Sequence, residues 1–179
     1  MDRTTKPIAV LRGATSAEIQ ALLRAFVERR GAAVRIAGLI EAACRNEDRA
    51  CGPGTLQSLA DGRHFPLFQD LGEGSDACAL DATGVVDASQ AVCRDIAAGC
   101  DVVLLSKFGK LEAESRSGLI PAFVAAIEAQ VPVLTSVSPK FADAWTAFAA
   151  PYFTTLPAEA QAIEDWWRAV RGEEVARPV

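Results

Sequence analysis

Short apolar runs alternate with amphipathic stretches along this chain. Residues 7–11 (PIAVL) predict a buried strand, and apolar side chains at helical spacing from Thr15 predict a helix that ends at Gly31. Residues 34–40 predict a second strand. Because a strand, a helix and a strand in this order favour parallel pairing with a right-handed crossover, we expect a βαβ unit here.

The centre of the chain contains its most strand-like run, residues 101–106 (DVVLLS), which we expect to form a central strand. Residues 41–64 are polar and predict a loop. Residues 65–71 contain Pro66, which a sheet tolerates at its edge but not in a central strand, so this segment predicts an edge strand or hairpin.

The other patterns predict four more helices after the first and one more strand, with proline and glycine near their ends. In chain order they are a helix capped by Asp81 or Thr83 and ended by Gly99, a helix over residues 118–130, a strand over residues 132–137, a helix from Ser138 and a helix from Pro157.

This alternation, over 179 residues, predicts a single α/β domain that spans residues 1–179. The expected architecture is three-layer α/β/α with a mainly parallel sheet. In such folds ligands bind beyond the carboxyl ends of the strands. Two loops therefore become candidates for chemistry, residues 12–18 after the first strand and residues 106–116 after the central strand.

Composition excludes several functional classes. With 23 acidic and 18 basic residues and a net charge of -5, the chain has no general attraction for nucleic acid. No apolar run approaches the roughly 18 residues that span a bilayer, so we expect a cytoplasmic protein without membrane insertion. Five cysteines and one histidine favour reduced thiols and no metal site.

The first loop occupies the place of a phosphate-binding P-loop, whose pattern is G-x-x-x-x-G-K-[ST]. Gly13 is assigned to the first glycine. Ala17, Glu18 and Ile19 are assigned to the second glycine, the lysine and the Mg²⁺-binding hydroxyl, so the phosphate-binding lysine is missing. A carboxylate at that place would repel a triphosphate.

Two interpretations of this helix start remain open. Thr15 and Glu18 fit the capping box, in which the two residues satisfy each other's backbone N–H groups. The free N–H groups and positive dipole end of the helix would also attract an anion, with Gly13, Thr15 and Ser16 as its neighbours.

The second loop is unusual in its use of lysine. The chain has four lysines against fourteen arginines, yet Lys107 and Lys110 stand three residues apart after the central strand. Lysine is a compact point charge that suits single oxygens, so these residues and Arg116 predict a small-anion site. Glu112 and Glu18, together with Cys78 in a glycine-rich approach to a helix, are expected supporting residues.

The alternative for the same loop is an internal ion-pair network. In that interpretation Lys107 or Lys110 pairs with Glu112, Glu114 or Glu18, and no ligand is involved.

The stretch VVLLSKFGKLEAESRSGL, the segment L-G-x-G-x-x-x-C-x-L-D and the PVLTSV…AWTAFA tail resemble a bacterial domain family of uncharacterised function. Genes of that family often lie beside molybdate-transport genes, and the resemblance covers nearly the whole chain. The family is more distantly similar to P-loop nucleoside triphosphatases, in which the corresponding strand ends in D-E-x-G-K-x-E. In that pattern Ser106 and Lys107 replace the acidic pair that handles Mg²⁺, whereas Gly109, Lys110 and Glu112 match.

The resemblance implies a P-loop-NTPase-like fold with degenerate motifs and a link to molybdenum metabolism. We therefore expect a non-hydrolytic binding protein for a small oxyanion, with molybdate as the favoured ligand, or for a phosphate group. Its role would be accessory to molybdenum uptake or cofactor metabolism, with no cofactor expected besides molybdate. One alternative is a nucleoside triphosphatase or kinase that uses Lys107 or Lys110 as a displaced phosphate clamp. The other is an interaction module without a ligand, acting as a homodimer or as a molybdate-transport component.

Overall fold

A computed structural model describes residues 5–42, 54–67 and 82–173, and the strands of these ranges form one seven-stranded sheet. The strands are β1 (Ile8–Arg12), β2 (Ile36–Glu41), β3 (Thr55–Ser58), β4 (His64–Pro66), β5 (Val102–Phe108), β6 (Val133–Val137) and β7 (Phe153–Pro157). Their order across the sheet is β4-β3-β2-β5-β6-β1-β7, so β5 is central as predicted. At one edge β3 pairs antiparallel with both β2 and β4, and the four remaining pairings are parallel.

Helices cover both faces of this sheet. They are α1 (Ser16–Arg30), α2 (Ala82–Ala98), α3 (Lys110–Ser115), α4 (Ile120–Glu128), α5 (Ala142–Ala149) and α6 (Ala160–Arg171), with a 3₁₀ turn at Pro139–Phe141 before α5. α1 and α6 share one hydrophobic cluster with the sheet, and α2, α4 and α5 share the other. The predicted three-layer architecture is confirmed.

Alternation along the strands explains why both clusters form. In β1, Ala9 and Leu11 belong to the cluster under α1 and α6, whereas Ile8 and Val10 belong to the opposite cluster. Successive side chains of a strand point to opposite faces, and these are buried on both, which is typical of a parallel sheet covered by helices.

An aromatic cluster fixes the end of the central strand. Phe108, the last residue of β5, lies edge-to-face against Trp145 of α5 and Phe123 of α4, with ring centroids 5.1 Å and 6.1 Å away. Edge-to-face pairs add roughly 0.5–1.5 kcal/mol beyond the burial of their area. The backbone that follows Lys107 is therefore held firmly against the core.

The strand order corrects the expected neighbours of β1. The early βαβ pattern predicted that β1 pairs with β2. In the structure β1 lies between β6 and β7, while β2 pairs with β5. β1 and β2 run parallel as expected, but β5 and β6 lie between them, because the order of strands in the chain does not determine their order in the sheet.

In the structure, three elements differ from those predicted from the sequence. β3 lies in the segment that was predicted to be a loop, and α3 occupies most of the predicted loop 106–116. Pro157 was expected to start the last helix, but it ends the edge strand β7 and the helix begins at Ala160. These elements are short, and their exposed or polar positions weaken the apolar periodicity.

Helix ends agree better with the sequence. α1 has Thr15 as its N-cap and Gly31 as its C-cap, as predicted. α2 ends before Gly99, whereas Thr83 lies inside the helix instead of capping it, and Asp81 lies outside the described residues. Across the three described ranges, no helix is long and apolar enough to cross a lipid bilayer.

Candidate functional site

A cavity of about 190 Å³ lies at the carboxyl ends of β1, β5 and β6. Parallel α/β sheets bind ligands at this edge. The lining comes from the end of β1, the first turn of α1, the end of β5 and the residues at and just after the end of β6. The lining residues are Leu11, Arg12, Gly13, Ala14, Ser16, Ile19, Lys107, Ser136, Val137, Ser138 and Pro139.

Three residues of the expected anion site line this cavity together: Gly13, Ser16 and Lys107. Gly13 has a φ of +91°, in the left-handed region that glycine adopts without strain, so the chain can turn sharply from β1 toward α1. Thr15, Lys110 and Arg116 are not lining residues, and Cys78 lies outside the described residues.

Thr15 and Glu18 form the predicted capping box. The backbone N and the Oγ1 of Thr15 both donate to Oε2 of Glu18 at 2.7 Å, and the backbone N of Glu18 donates to Oγ1 of Thr15 at 3.3 Å. The hydrogen bonds from the Thr15 side chain and backbone lower the pKa of Glu18. The capping interpretation is confirmed, and the Glu18 carboxylate is engaged outside the cavity.

Lys110 and Arg116 lie on α3 and its end. Lys110 begins the helix, and its exposed Nζ is 4.0 Å from Oε2 of Glu114 one turn later. Arg116 is the exposed C-cap of the same helix, with a left-handed φ of 49°. The internal ion-pair alternative therefore describes Lys110, whose partner is Glu114.

Glu112 has a structural role that differs from support of a lysine. It is buried, its Oε2 accepts a hydrogen bond from the backbone N of Gly109 at 2.9 Å, and its Oε1 accepts one from the backbone N of Leu119 at 2.8 Å. The carboxylate thus satisfies the free N–H groups at the starts of α3 and α4. It forms no ion pair with Lys107.

Lys107 lies half-buried in the cavity wall, and the described residues provide it with no carboxylate within ion-pairing distance. Gln20 fixes the backbone beside it: its Nε2 donates to the carbonyl of Ser106 at 3.2 Å, and its Oε1 accepts from the backbone N of Glu41 at 3.2 Å. The Oγ of Ser136 donates to the same Ser106 carbonyl at 2.8 Å. These hydrogen bonds connect α1, β2, β5 and β6 at Ser106, the residue immediately before Lys107.

Arg12 is a cation of this cavity that the sequence analysis missed. It is the last residue of β1, it is half-buried, and its Nε is fully enclosed without a hydrogen-bond partner among the described residues. Ser136 and Ser138 were also missed. A sequence signal existed for Arg12 and Ser138, since each stands at or directly after the carboxyl end of a predicted strand.

The lining is electropositive. Arg12 and Lys107 contribute two positive charges, the serines contribute hydroxyl groups, and none of the described residues that line the cavity is an aspartate or glutamate. The ion pairs found within residues 5–42, 54–67 and 82–173 all involve other cations. Chemically, the arrangement offers hydrogen-bond donors and positive charge to an anion.

The P-loop pattern places its lysine six residues after its first glycine, one residue later than the assignment made from the sequence. When Gly13 is the first glycine, the motif's spacing places Glu18 at the second glycine, Ile19 at the lysine and Gln20 at the hydroxyl. Ile19 lines the cavity and Gln20 is buried toward Ser106, which fits this register. In both registers the phosphate-binding lysine is replaced by another residue.

No group of three or more histidine, cysteine, aspartate or glutamate side chains in the described part of the chain is arranged to hold a metal ion. Cys93 and Cys100 are half-buried free thiols, and burial raises the pKa of both. Such thiols stay protonated and pack as small apolar side chains. Cys44, Cys51 and Cys78 lie outside the described residues.

The model of the family described as "Protein of unknown function (DUF2478)" matches residues 8–166, which include the whole cavity lining. This chain belongs to that family. Over 135 residues, the DUF2478 chain is 42% identical to the Molybdenum import ATP-binding protein ModC 2 of Bradyrhizobium diazoefficiens. That match covers 75% of this chain and 15% of the length of the relative.

The fold of this DUF2478 chain also has a solved counterpart. The crystal structure of THEP1 from the hyperthermophile Aquifex aeolicus superposes with a TM-score of 0.57 at 12% sequence identity, covering 91% of this chain and 95% of that chain. At this identity the likeness concerns the fold alone. It confirms the predicted P-loop-NTPase-like, mainly parallel α/β architecture.

Proposed function

We propose that this chain is a non-hydrolytic binding protein for a small oxyanion, with molybdate as the favoured ligand, and that it binds in the cavity at the ends of β1, β5 and β6. The observation that supports this most directly is that Arg12 and Lys107 both line the cavity and neither has a carboxylate partner among the described residues. Cations left without an internal partner at a ligand-binding edge favour an external anion.

The size of the cavity supports a small ligand. Its volume of about 190 Å³ is below the roughly 300–1,000 Å³ of pockets that enclose drug-sized molecules. A tetrahedral oxyanion or a single phosphate group fits this space better than an enclosed nucleotide does.

The choice of molybdate draws on the relative whose printed name is Molybdenum import ATP-binding protein. It agrees with the resemblance to a family whose genes often accompany molybdate transport. Molybdate is a tetrahedral dianion, and a helix start, a lysine and an arginine are sufficient donors for it. In this proposal the chain acts in molybdenum uptake or cofactor metabolism, as a homodimer or as a component of a transport system.

The second candidate is a nucleotide whose terminal phosphate enters the same cavity. The name of the same relative includes ATP binding, and the chain has the fold of P-loop proteins. In this case Lys107 is the displaced phosphate clamp, and the nucleoside stays outside the cavity.

The first prediction separates the two lysines of the central loop. Lys107→Ala should weaken molybdate binding by about 10- to 100-fold, because a charge-assisted hydrogen bond contributes roughly 1.5–3 kcal/mol. Lys110→Ala should change the affinity less than about twofold, because Lys110 lies outside the cavity and pairs with Glu114. Isothermal titration calorimetry at constant ionic strength measures both.

The same titration with Mg²⁺-ATP in place of molybdate tests the second candidate. The nucleotide would be favoured if the wild-type protein binds Mg²⁺-ATP but not molybdate, and if Lys107→Ala no longer binds Mg²⁺-ATP. Wild-type molybdate affinity in Lys107→Ala would contradict the proposed cavity.

A further inference from the structure

The charges around the cavity define the class of anion that fits it. We propose that the cavity selects dianions over monoanions of the same shape, with Arg12 and Lys107 each compensating one negative charge. This inference rests on the proposed function, because it concerns the same cavity. It adds a ligand class and assigns Arg12 as a ligand-contacting residue.

Arg12 carries one of the two charges. Its Nε is fully enclosed and has no acceptor among the described residues, and a buried donor left in this state is unfavourable. Its position at the end of β1 places the side chain in the cavity wall beside Gly13. A guanidinium offers parallel N–H donors along one edge, which matches two oxygens of a tetrahedral anion.

Lys107 carries the other charge, and the carboxylates that could neutralise it are engaged elsewhere. Glu112 accepts hydrogen bonds from two backbone N–H groups, Glu114 pairs with Lys110, and Glu18 is held by its capping partner. The cavity lining therefore holds two positive charges with no internal counter-charge among the described residues.

Two like charges in a half-enclosed space repel each other, and the effective dielectric constant there is below that of water. A bound dianion balances both charges. A monoanion leaves one of them without compensation and also gives up half of the favourable Coulomb energy. Charge therefore becomes a basis for selection that is independent of ligand size.

The remaining donors do not discriminate by charge in the same way. Ser16 lies in the first turn of α1, and the hydroxyl of Ser138 makes no capping bond to the 3₁₀ turn that follows it. Neutral donors serve a monoanion and a dianion alike. The difference in affinity between the two should therefore come from Arg12 and Lys107.

The test compares tetrahedral oxyanions of similar size but different charge on the full chain. Molybdate and tungstate are dianions, and perrhenate is a monoanion of nearly the same dimensions. We expect molybdate to bind at least about tenfold more tightly than perrhenate, the effect of one lost charge-assisted contact. Sulfate, a smaller dianion, should also bind more tightly than perrhenate.

Variants assign the selectivity to residues. Arg12→Gln and Lys107→Gln should each weaken molybdate binding and reduce the molybdate-to-perrhenate ratio to less than about threefold. Arg12→Lys keeps the charge and removes the planar edge, so it should weaken binding but retain the ratio. Lys6→Gln is the matched control, because Lys6 is exposed and precedes the amino end of β1, whereas the cavity lies at the carboxyl ends of the strands. It should change neither value.

Thermal unfolding of each variant establishes that it is folded before titration. If Arg12→Gln does not fold, the wild-type ratio and the ratios in Lys107→Gln and Arg12→Lys still decide the question. Equal affinity for molybdate and perrhenate in the wild-type protein would overturn the charge selection and leave oxyanion binding intact. Absence of binding for all four oxyanions would overturn the proposed function itself.

Discussion

Two buried serines differ in whether the hydroxyl has a hydrogen-bond partner. Ser136 donates to the Ser106 carbonyl at 2.8 Å. Ser89, on α2, is 1% exposed, and its Oγ has no partner among the described residues. A buried hydroxyl without a partner loses its hydration and gains nothing in return. Removal of the hydroxyl group should therefore have opposite effects on stability at the two positions.

Ser89→Ala should raise the free energy of unfolding by about 0.5–1.5 kcal/mol, because it removes an unsatisfied polar atom and improves helix propensity. Ser136→Ala should lower the free energy of unfolding by about 1 kcal/mol, because it deletes a bond and leaves a buried carbonyl with one donor fewer. Urea unfolding of both variants measures the difference. Destabilisation by Ser89→Ala would indicate a partner for that hydroxyl.

Only some of the residues predicted for the anion site line the cavity, because the prediction relied on how rare lysine is in this chain. Lysines are scarce in this chain, so rarity pointed to Lys107 and Lys110 together. β5 runs on to Phe108 and α3 begins at Lys110, which places the first lysine in the cavity and the second outside. Arg12 could not be found by rarity, because arginine is the common cation of the chain.

At the scale of elements, Glu164 joins α6 to α1. Its Oε1 accepts from Nε of Arg29 at 3.2 Å, and its Oε2 accepts from Nε of Arg30 at 3.1 Å and also from Nη2 of Arg30. Burial by itself would raise the pKa of Glu164. The hydrogen bonds from Arg30 and Arg29 outweigh burial and lower this pKa below its ordinary value.

A carboxyl group with a lowered folded-state pKa stabilises the fold above its unfolded pKa of about 4.3 and loses that contribution as the pH falls through the folded value. Glu164→Gln should therefore lower the free energy of unfolding by about 1 kcal/mol at neutral pH, the upper range for a partly exposed pair. The difference from wild type should shrink as the pH falls through the lowered folded-state pKa of Glu164 and vanish once the carboxyl group is protonated in both states.

Glu173→Gln is the matched control, because Glu173 pairs with Arg171 in an exposed position within one helix end. Its effect on urea unfolding should be small at either pH. A Glu164→Gln effect that persists unchanged in acid would mean that the side chain acts through packing and not through its charge.

The predictability of the elements follows their burial. α1 was located to its caps, because Thr15, Glu18 and Gly31 supply local chemistry that needs no tertiary context. β7 was missed, because it is a five-residue edge strand with no fully buried side chain, so its sequence carries no burial signal. The order β5-β6-β1 was beyond reach, because it depends on which strands pack together after the helices form.

At the scale of the molecule, the fold resembles that of P-loop proteins, but the residues of the site depart from the P-loop pattern. The architecture is that of P-loop proteins, in which a lysine holds the phosphates and a hydroxyl and a carboxylate hold Mg²⁺. Here Ile19 stands at the lysine position in the register that starts at Gly13, and Ser106 and Lys107 follow the apolar part of β5 where the resemblance expects an acidic pair. Among the described residues, the lining keeps positive charge for an anion but offers no carboxylate for a metal ion.

We therefore expect no useful hydrolysis of ATP or GTP by the full chain in the presence of Mg²⁺. Phosphoryl transfer depends on positioning and on neutralising charge at the reacting oxygens, and Lys107 alone supplies only part of that. Phosphate release, followed over hours with purified protein, should stay far below the roughly 1 per second that marks ordinary enzymatic turnover. Lys107→Ala is the control for contaminating activity, since a trace contaminant is indifferent to this change. Turnover near 1 per second that disappears in Lys107→Ala would contradict the binding proposal and make Lys107 a phosphate clamp, because only activity from this cavity depends on that side chain.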